Sequence, residues 1–371
     1  MRITTPFYVK LSYILICLTA ITFFIYAAQG IVVPIIMAIL FAILLNPIVI
    51  FLKRRLKFPH VIASMTAVIL FVILIVGIFT FISFQVSDMA NDIDKIQENI
   101  QIHFKNVQLY VKQHFNISNR EQHEYIESAT KDTMQKGKEI IGTTLMSFTD
   151  TLLNLTLIPI YIFLLLLYRN HFMLFFTKLF KKENHTQVHE IINQIKVAVK
   201  SYIIGLILEM IAVSVLTSIG FMIIGVQYAI LLGIITGILN LIPYVGILFA
   251  GILSIIASLS GSPDLSVIVG VIVVNIIVQL IDNNVLMPLI VNSKVQINAL
   301  VSIIGIIIGG TLMGISGMFL AIPIIAILKV IFDRIETLEP WGYLFGDDIP
   351  KTYQWRKINL PHFDFGDDEN K

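Results

Sequence analysis

Six apolar runs in this chain have the length that one bilayer crossing demands, about 20 residues. They lie at Leu11 to Ala28, Ile31 to Leu52, Val61 to Phe84, Leu145 to Tyr168, Ser201 to Ile224 and Ser266 to Val291. A segment in hydrocarbon must satisfy its own backbone hydrogen bonds, and for separate runs of this length the α-helix is the available solution. The chain therefore reads as an all-α polytopic membrane protein. Its first run follows Arg2 and Lys10 in the manner of a signal peptide, but it is near full spanning length and a second run follows at once, so it is expected to stay as a helix. Composition agrees: 57% of the residues are hydrophobic and 13% charged, about half the charged share of an ordinary soluble domain. Lipid is the main expected partner.

The charges that remain set the expected orientation. Lys53, Arg54, Arg55 and Lys57 follow the second span, and Arg169, Lys178, Lys181, Lys182, Lys196 and Lys200 lie between the fourth and fifth. Basic short loops mark the cytoplasmic side, which puts both termini inside and Gln85 to Thr144 outside. That outer segment has nine acids and seven bases. Ile93, Ile96, Ile100, Phe104, Val107 and Val111 recur at helical spacing, and Asn116, Ser118 and Asn119 suggest a turn into a second helix over Glu121 to Ile140, giving a soluble helical insert. Its stripe either packs on its own partner helix or meets neighbouring subunits or caps a pathway. The tail from Glu336 is expected on the cytoplasmic side with no chemistry assigned. Dispersed Lys and Arg give no basic face for nucleic acid. Cys17 is the single cysteine, so intrachain disulfides and thiolate metal sites are excluded, and no cofactor is expected.

Two further apolar stretches, Tyr228 to Ser260 and Ala299 to Ile331, are too long for a simple crossing: at 1.5 Å per residue each would extend roughly 50 Å, against about 30 Å of hydrocarbon. Both are interrupted. The first contains Gly237, Asn240, Pro243, Tyr244 and Gly246; the second contains Gly309, Gly310, Gly314, Ser316 and Gly317. Each follows a full-length span and a connection containing Val-Gln (Val226-Gln227, Val295-Gln296), and Gly246-Ile-Leu-Phe-Ala250 matches Gly317-Met-Phe-Leu-Ala321. The second half thus reads as two repeats with breaks at corresponding positions, the pattern that points to a transport site. Each stretch is either a kinked crossing or a re-entrant hairpin of two half-helices. Excess length and the position of Lys294 favour hairpins, which would make the repeats inverted. Broken helices at membrane depth persist where protein or a watery cavity receives the freed backbone groups, so the breaks imply a polar pocket.

Asp282 is the most informative single residue. A lone carboxylate at the centre of an inserted helix costs about 2.5 to 3.5 kcal/mol, which makes function the default reading. Asn275, Gln279 and Asn283 recur every four residues around it, so one face offers amides beside the carboxylate, and Met287-Pro288 follows as a kink or an end. Structural pairing is the alternative. Glu209 is the other acid inside a span; it either joins the site or pairs with Lys200 or snorkels to the interface. Asn240 and Tyr244 flank Pro243 and serve either a pocket or a helix cap. The pairs Gly233/Gly237, Gly305/Gly309 and Gly310/Gly314 have the spacing of close helix packing. His185 and His189, four apart in a polar linker, lack the pattern of a zinc helix.

Taken together, Asn240-Leu-Ile-Pro243-Tyr244-Val-Gly246, the Asp282-Asn283 pair with Pro288 downstream, and Gly309-Gly310 through Gly314-Ile-Ser-Gly317 to Ala321-Ile-Pro323 resemble the signatures of the autoinducer-2 exporter family, and the resemblance extends over nearly the whole chain. It implies an oligomeric transporter of the bacterial plasma membrane that exports a small polar, furanone-like signalling molecule; some family members instead act as sodium or lithium/proton antiporters. From the residues, a secondary exporter of a small polar solute leads, with the site between the two breaks and the Asp282 face and with H⁺ or Na⁺ as the coupling ion. A monovalent cation/proton antiporter built on Asp282 is the alternative, weakened by the expected lack of a second membrane acid nearby. Gly314-Ile-Ser316-Gly317 matches the serine motif of rhomboid proteases, but no expected span holds a histidine to activate the serine. An aspartyl intramembrane protease would need a second membrane aspartate. An enzyme is not expected.

Overall fold

The computed structural model describes residues 6–92, 95, 98–99, 101–102, 156–242, 245–258, 264–291 and 297–347. Most of the expected helical insert, the tail beyond Asp347, Pro243, Tyr244 and Lys294 lie outside the described residues. Among the described residues all regular structure is helical. Helices α1 (Phe7–Ala27), α2 (Gln29–Arg55) and α3 (His60–Asn91) match the first three expected spans. Lys53, Arg54 and Arg55 close the last turn of α2, where cations complement the helix dipole. Helix α4 (Leu157–Leu167) is the described part of the fourth span. It packs with α2 and α3 through Ala38, Ala42, Leu45, Ala63, Ala67 and Ile162, small residues on two helices letting large ones from the third between them. Helix α1 is exposed along most of its length and borders an open groove with Leu312.

The stretch expected as a basic linker is itself mostly helical. The chain bends by 68° after α4 into a short helix α5 (Arg169–Lys178). Helix α6 (His185–Ile223) then begins well before Ser201 and runs through the bilayer as 39 residues, roughly 58 Å long. Its far end turns sharply at Gly225, whose φ of 78° suits a residue without a Cβ, and returns as α7 (Ala229–Asn240). Helix α7 lies antiparallel to α6 at very short range. A Cβ added at Gly233 would strike Ser218 and the Ser214 carbonyl, and one at Gly237 would strike Ser214 and the Met210 carbonyl. The glycine pair therefore does serve close packing, as its spacing implies.

Both long stretches fold back. Helix α8 (Val245–Ser258) turns onto α7, with Gly246 pressed against the Leu239 carbonyl. The second stretch, α10 (Ala299–Phe332), is broken at Met313 and Gly314, where φ is 61° and ψ −146° at the glycine. Its two arms run antiparallel: Gly309 faces the Gly317 carbonyl, and Gly305 faces Ile325 and Ala321. In a straight helix residues eight apart would be about 12 Å distant.

The two hairpins enter from opposite ends of the molecule. Both ends of α10 meet helix α11 (Glu339–Phe345): the Asn298 amide donates to the Phe345 carbonyl, and the Phe332 and Phe345 rings stack edge to face at 5.4 Å. The start of α6 is there too, with Gln187 donating to the Arg334 carbonyl. The base of the α7–α8 hairpin is at the other end, where Phe221, Val226, Ala229, Ala257 and Val271 form one cluster with Met89. Between the hairpins, helix α9 (Leu265–Ile281) crosses and continues as a wider π-helical segment, Asp282–Val291. Pro288 lies inside that segment, and Asn284 Nδ2 donates back to the Leu280 carbonyl. Proline removes one backbone donor and crowds the preceding turn; a widened turn relieves both effects. Pro288 thus neither ends the helix nor stands in an ordinary α-turn.

Candidate functional site

Three polar residues from three elements meet inside the protein: Glu209 on α6, Asn240 at the tip of the first hairpin, and Asp282 where α9 widens. They are 4%, 8% and 3% exposed. Asn240 Nδ2 donates to Glu209 Oε1 at 3.2 Å and to Asp282 Oδ2 at 3.1 Å. A carboxamide nitrogen has two hydrogens, one for each carboxylate. The other oxygens, Glu209 Oε2 and Asp282 Oδ1, are buried and have no hydrogen-bond partner. Buried charge without a partner is costly, so two carboxylates about one nitrogen form the most electrostatically demanding place in the described protein.

The register of α6 and α7 explains the meeting. Tight contact at Gly233 and Gly237 fixes how far α7 descends along α6, and one further turn brings Asn240 level with Glu209. On α9, Val271, Asn275, Val278 and Asp282 form the inward face at helical spacing. Beside the triad, Val213, Thr236, Ala250, Asn275, Val278, Gln279 and Asp282 enclose a cavity of about 30 Å³. That volume admits a water or two, or one desolvated monovalent cation. Asn275 and Gln279 thus stand beside Asp282, whereas Asn283 is exposed and accepts from Gln279 Nε2 at 3.0 Å.

Two sequence expectations change. Glu209 neither pairs with Lys200 nor snorkels: it is buried on Asn240. Asp282 accordingly does have a second membrane acid beside it, because α7 bridges two spans that are far apart in sequence. Gly237 and Gly246 form the frame of the first hairpin below Asn240. Gly309, Gly310, Gly314, Ser316 and Gly317 build the second hairpin instead and do not border the cavity; Gly310 faces Met318, and Ser316 sits half-buried at the tip. Thr236, Ala250 and Val213 line the cavity without any sequence signal beyond membership of apolar helices. Among the described residues no cluster of His, Cys, Asp and Glu is suited to a metal ion.

At the far end of α6, Tyr228 Oη donates to Asp92 Oδ2 at 2.6 Å and Gln227 Nε2 donates to the same oxygen at 3.0 Å. Lys95 pairs with Asp92 Oδ1 at 2.7 Å. Lys95 and then Tyr228 hold the Asp92 carboxyl below the usual carboxylate range. The base of the first hairpin is therefore tied to the point where the chain leaves α3.

The AI-2E family transporter profile matches residues 15–337. The chain is 27% identical over 318 residues to YueF of Bacillus subtilis, covering 82% of this chain and 84% of that one. It is 22% identical over 341 residues to YhhT of Escherichia coli, covering 88% and 91%. It is 26% identical over 198 residues to PerM of Escherichia coli, covering 53% and 56%. The first two are described as candidate transport proteins and the third as a candidate permease. With membrane-length apolar helices, a family match across nearly the whole chain and relatives of this kind, the chain is a polytopic membrane protein of the AI-2E transporter family.

Proposed function

We propose that this chain exports a small polar solute of the autoinducer-2 type by alternating access, with the Glu209–Asn240–Asp282 triad as its ion-coupling centre. The observation that carries the reading is the single amide of Asn240, at the tip of a hairpin, holding two buried carboxylates on two different spans. Two carboxylates this close and away from water do not both stay charged unless a proton or a cation sits with them. Arrival of that ion weakens or removes one acceptor of the Asn240 amide. Ion occupancy is thereby converted into a bias on hairpin position, and hairpin position decides which side of the membrane reaches the cavity. The basic end of the molecule faces the cytoplasm in this reading, with both termini inside and Asp92 outside. A homo-oligomer in the bacterial plasma membrane is the expected assembly.

A second reading, a Na⁺(Li⁺)/H⁺ antiporter, is favoured by one specific observation: the second acid and the small cavity suit a bare cation better than an organic solute. One experiment separates the two. The chain is reconstituted in liposomes, and autoinducer-2 flux is measured alongside Na⁺- or Li⁺-dependent pH change, for the wild type, Asp282→Asn and Glu209→Gln. Solute flux that depends on both acids supports the exporter. Cation-dependent pH change without solute flux supports the antiporter. Both activities intact in both variants would remove the triad from the mechanism.

A further inference from the structure

The corner between α4 and α5 is the one bent helix pair of this kind among the described residues. Tyr168 is half exposed at the bend, and α5 leaves the line of the span by 68°. Met173 and Thr177 hold α5 against α6, where Thr177 Oγ1 is 3.3 Å from His189 Nε2. A second face carries Phe172, Phe175, Phe176 and Leu179, each 43% to 61% exposed. His171 and Lys178 lie on a flank of that face, roughly 100° round the same helical projection. A short helix lying across the end of a span, aromatic on one side and basic on a flank, has the make-up of a segment in the interfacial plane of a bilayer.

Around this corner the cations lack anions among the described residues. Arg169 donates to the neutral Asn46 Oδ1, and Lys196 Nζ reaches Met173 Sδ at 3.1 Å, a weak acceptor for an ammonium group. Arg169 is within charge range of Lys196 and, with Lys53, of His60. No Asp or Glu precedes Asp88, so neither α2 nor the start of α3 supplies a counter-charge. The nearest acid on α6, Glu190, lies 3.9 Å from Arg334. Half-buried Lys53 and Arg169 and exposed Lys196 thus lie at one corner beside an aromatic face, with like charge only among the described residues.

We infer that the α4–α5 corner is a binding site for an anionic phospholipid, whose headgroup phosphate sits among Lys53, Arg169 and Lys196 while its acyl chains lie along Phe172, Phe176 and Leu179. The charge belongs to the phosphodiester and the apolar length to the lipid; a soluble phosphate would use only the first half of the site. The site lies in the leaflet at the basic end and does not depend on what the protein transports.

Lipid retention tests this. The full chain is purified from mixed phosphatidylglycerol and phosphatidylcholine membranes, and the lipids that stay bound are quantified by mass spectrometry. The wild type should retain phosphatidylglycerol preferentially, and excess inorganic phosphate should not displace it. Removing a membrane-proximal cation costs about fivefold, so Lys53→Gln with Lys196→Gln should lower the preference on the order of 30-fold. Phe172→Ala with Phe176→Ala should weaken retention of both lipids alike. Lys53→Arg with Lys196→Arg keeps the charge and should keep the preference, which separates loss of the site from misfolding. Arg334→Gln, at the same end but outside the corner, should change nothing. An unaltered preference in the double glutamine variant overturns the assignment, as does displacement of the lipid by inorganic phosphate.

Discussion

The two hairpins are similar in outline and differ in what their tips carry. The α7–α8 hairpin ends on Asn240, which bonds across to α6 and α9. The α10 hairpin ends on Met313 and Gly314, and its arms meet through the bare backbones of Gly309 and Gly317. Their bases differ as well. The first is tied to Asp92, beyond α3; the second is closed by its own C-terminal flank, through Asn298, Lys329, Asp333 and α11. A tip that bonds to other elements senses chemistry there, and a base tied to a distant segment passes displacement on to it. The second hairpin closes on its own flank and meets α2 and α6 through apolar packing at Leu320. Among the described residues, two hairpins of similar outline thus differ in that only the first carries a polar link at its tip to other spans.

The largest effect should come from removing the link. Asn240→Leu leaves two buried carboxylates without their shared donor, so it should abolish transport in liposomes and lower unfolding stability by about 3 kcal/mol. Ser316→Ala, at the other tip, should leave both unchanged; equal damage from both would erase the distinction. Next in size, Gly317→Val forces side-chain atoms into the Gly309 carbonyl. We expect a loss of about 2 to 3 kcal/mol, read as reduced melting temperature in detergent, with flux per folded molecule less affected than in Asn240→Leu. Smaller again is Gly314→Ala, whose added Cβ meets no atom within 4 Å, so that the cost of about 1 to 3 kcal/mol is purely that of its backbone conformation. The same change at Gly251, in a helical arm with equally open surroundings, should be neutral or stabilising by under about 1 kcal/mol.

The smallest effect concerns the base of the first hairpin and carries a sign with pH. Asp92 has its carboxyl depressed, so its contribution is present above the unfolded carboxylate value and fades as pH falls through the lower folded one. Asp92→Asn should therefore lower the melting temperature slightly at neutral pH and scarcely at all in acid. A difference that grows toward acid pH would show that Asp92 is not held as an anion.

Much of this organisation is legible in the sequence because lipid leaves few choices. Runs of about 20 apolar residues become helices, and the excess length and internal breaks of the two long stretches favour turning back over a kinked crossing. Asp282 announces itself by cost alone. The role of Glu209 does not, since its depth relative to Asn240 is decided by the approach of Gly233 and Gly237 to Ser214 and Ser218, a register that no single helix encodes. Bases between the fourth and fifth spans read as orientation signals and concealed the second message of α5. The spacing of Phe172, Phe176 and Leu179 held that message, but a ten-residue amphipathic pattern is weak beside neighbouring runs of unbroken apolar residues. The widened turn at Asp282 left only Pro288 as a trace.

That turn has a consequence for how the chain tolerates change in length. Asp282 joins the buried triad, and Met287, five positions on, packs against the cluster of Leu206 and Leu320. Residues five apart share a face in a π-helix and diverge by a third of a turn or more in an α-helix. The segment therefore stores one residue more than its rise requires. Losing a residue between Asn283 and Leu286 would tighten it to ordinary pitch and leave both flanking faces aimed as before, whereas the same deletion elsewhere in α9 would swing Asp282 out of the triad. The few residues after the acid are therefore the place in the span where a one-residue change in length is expected to cost least.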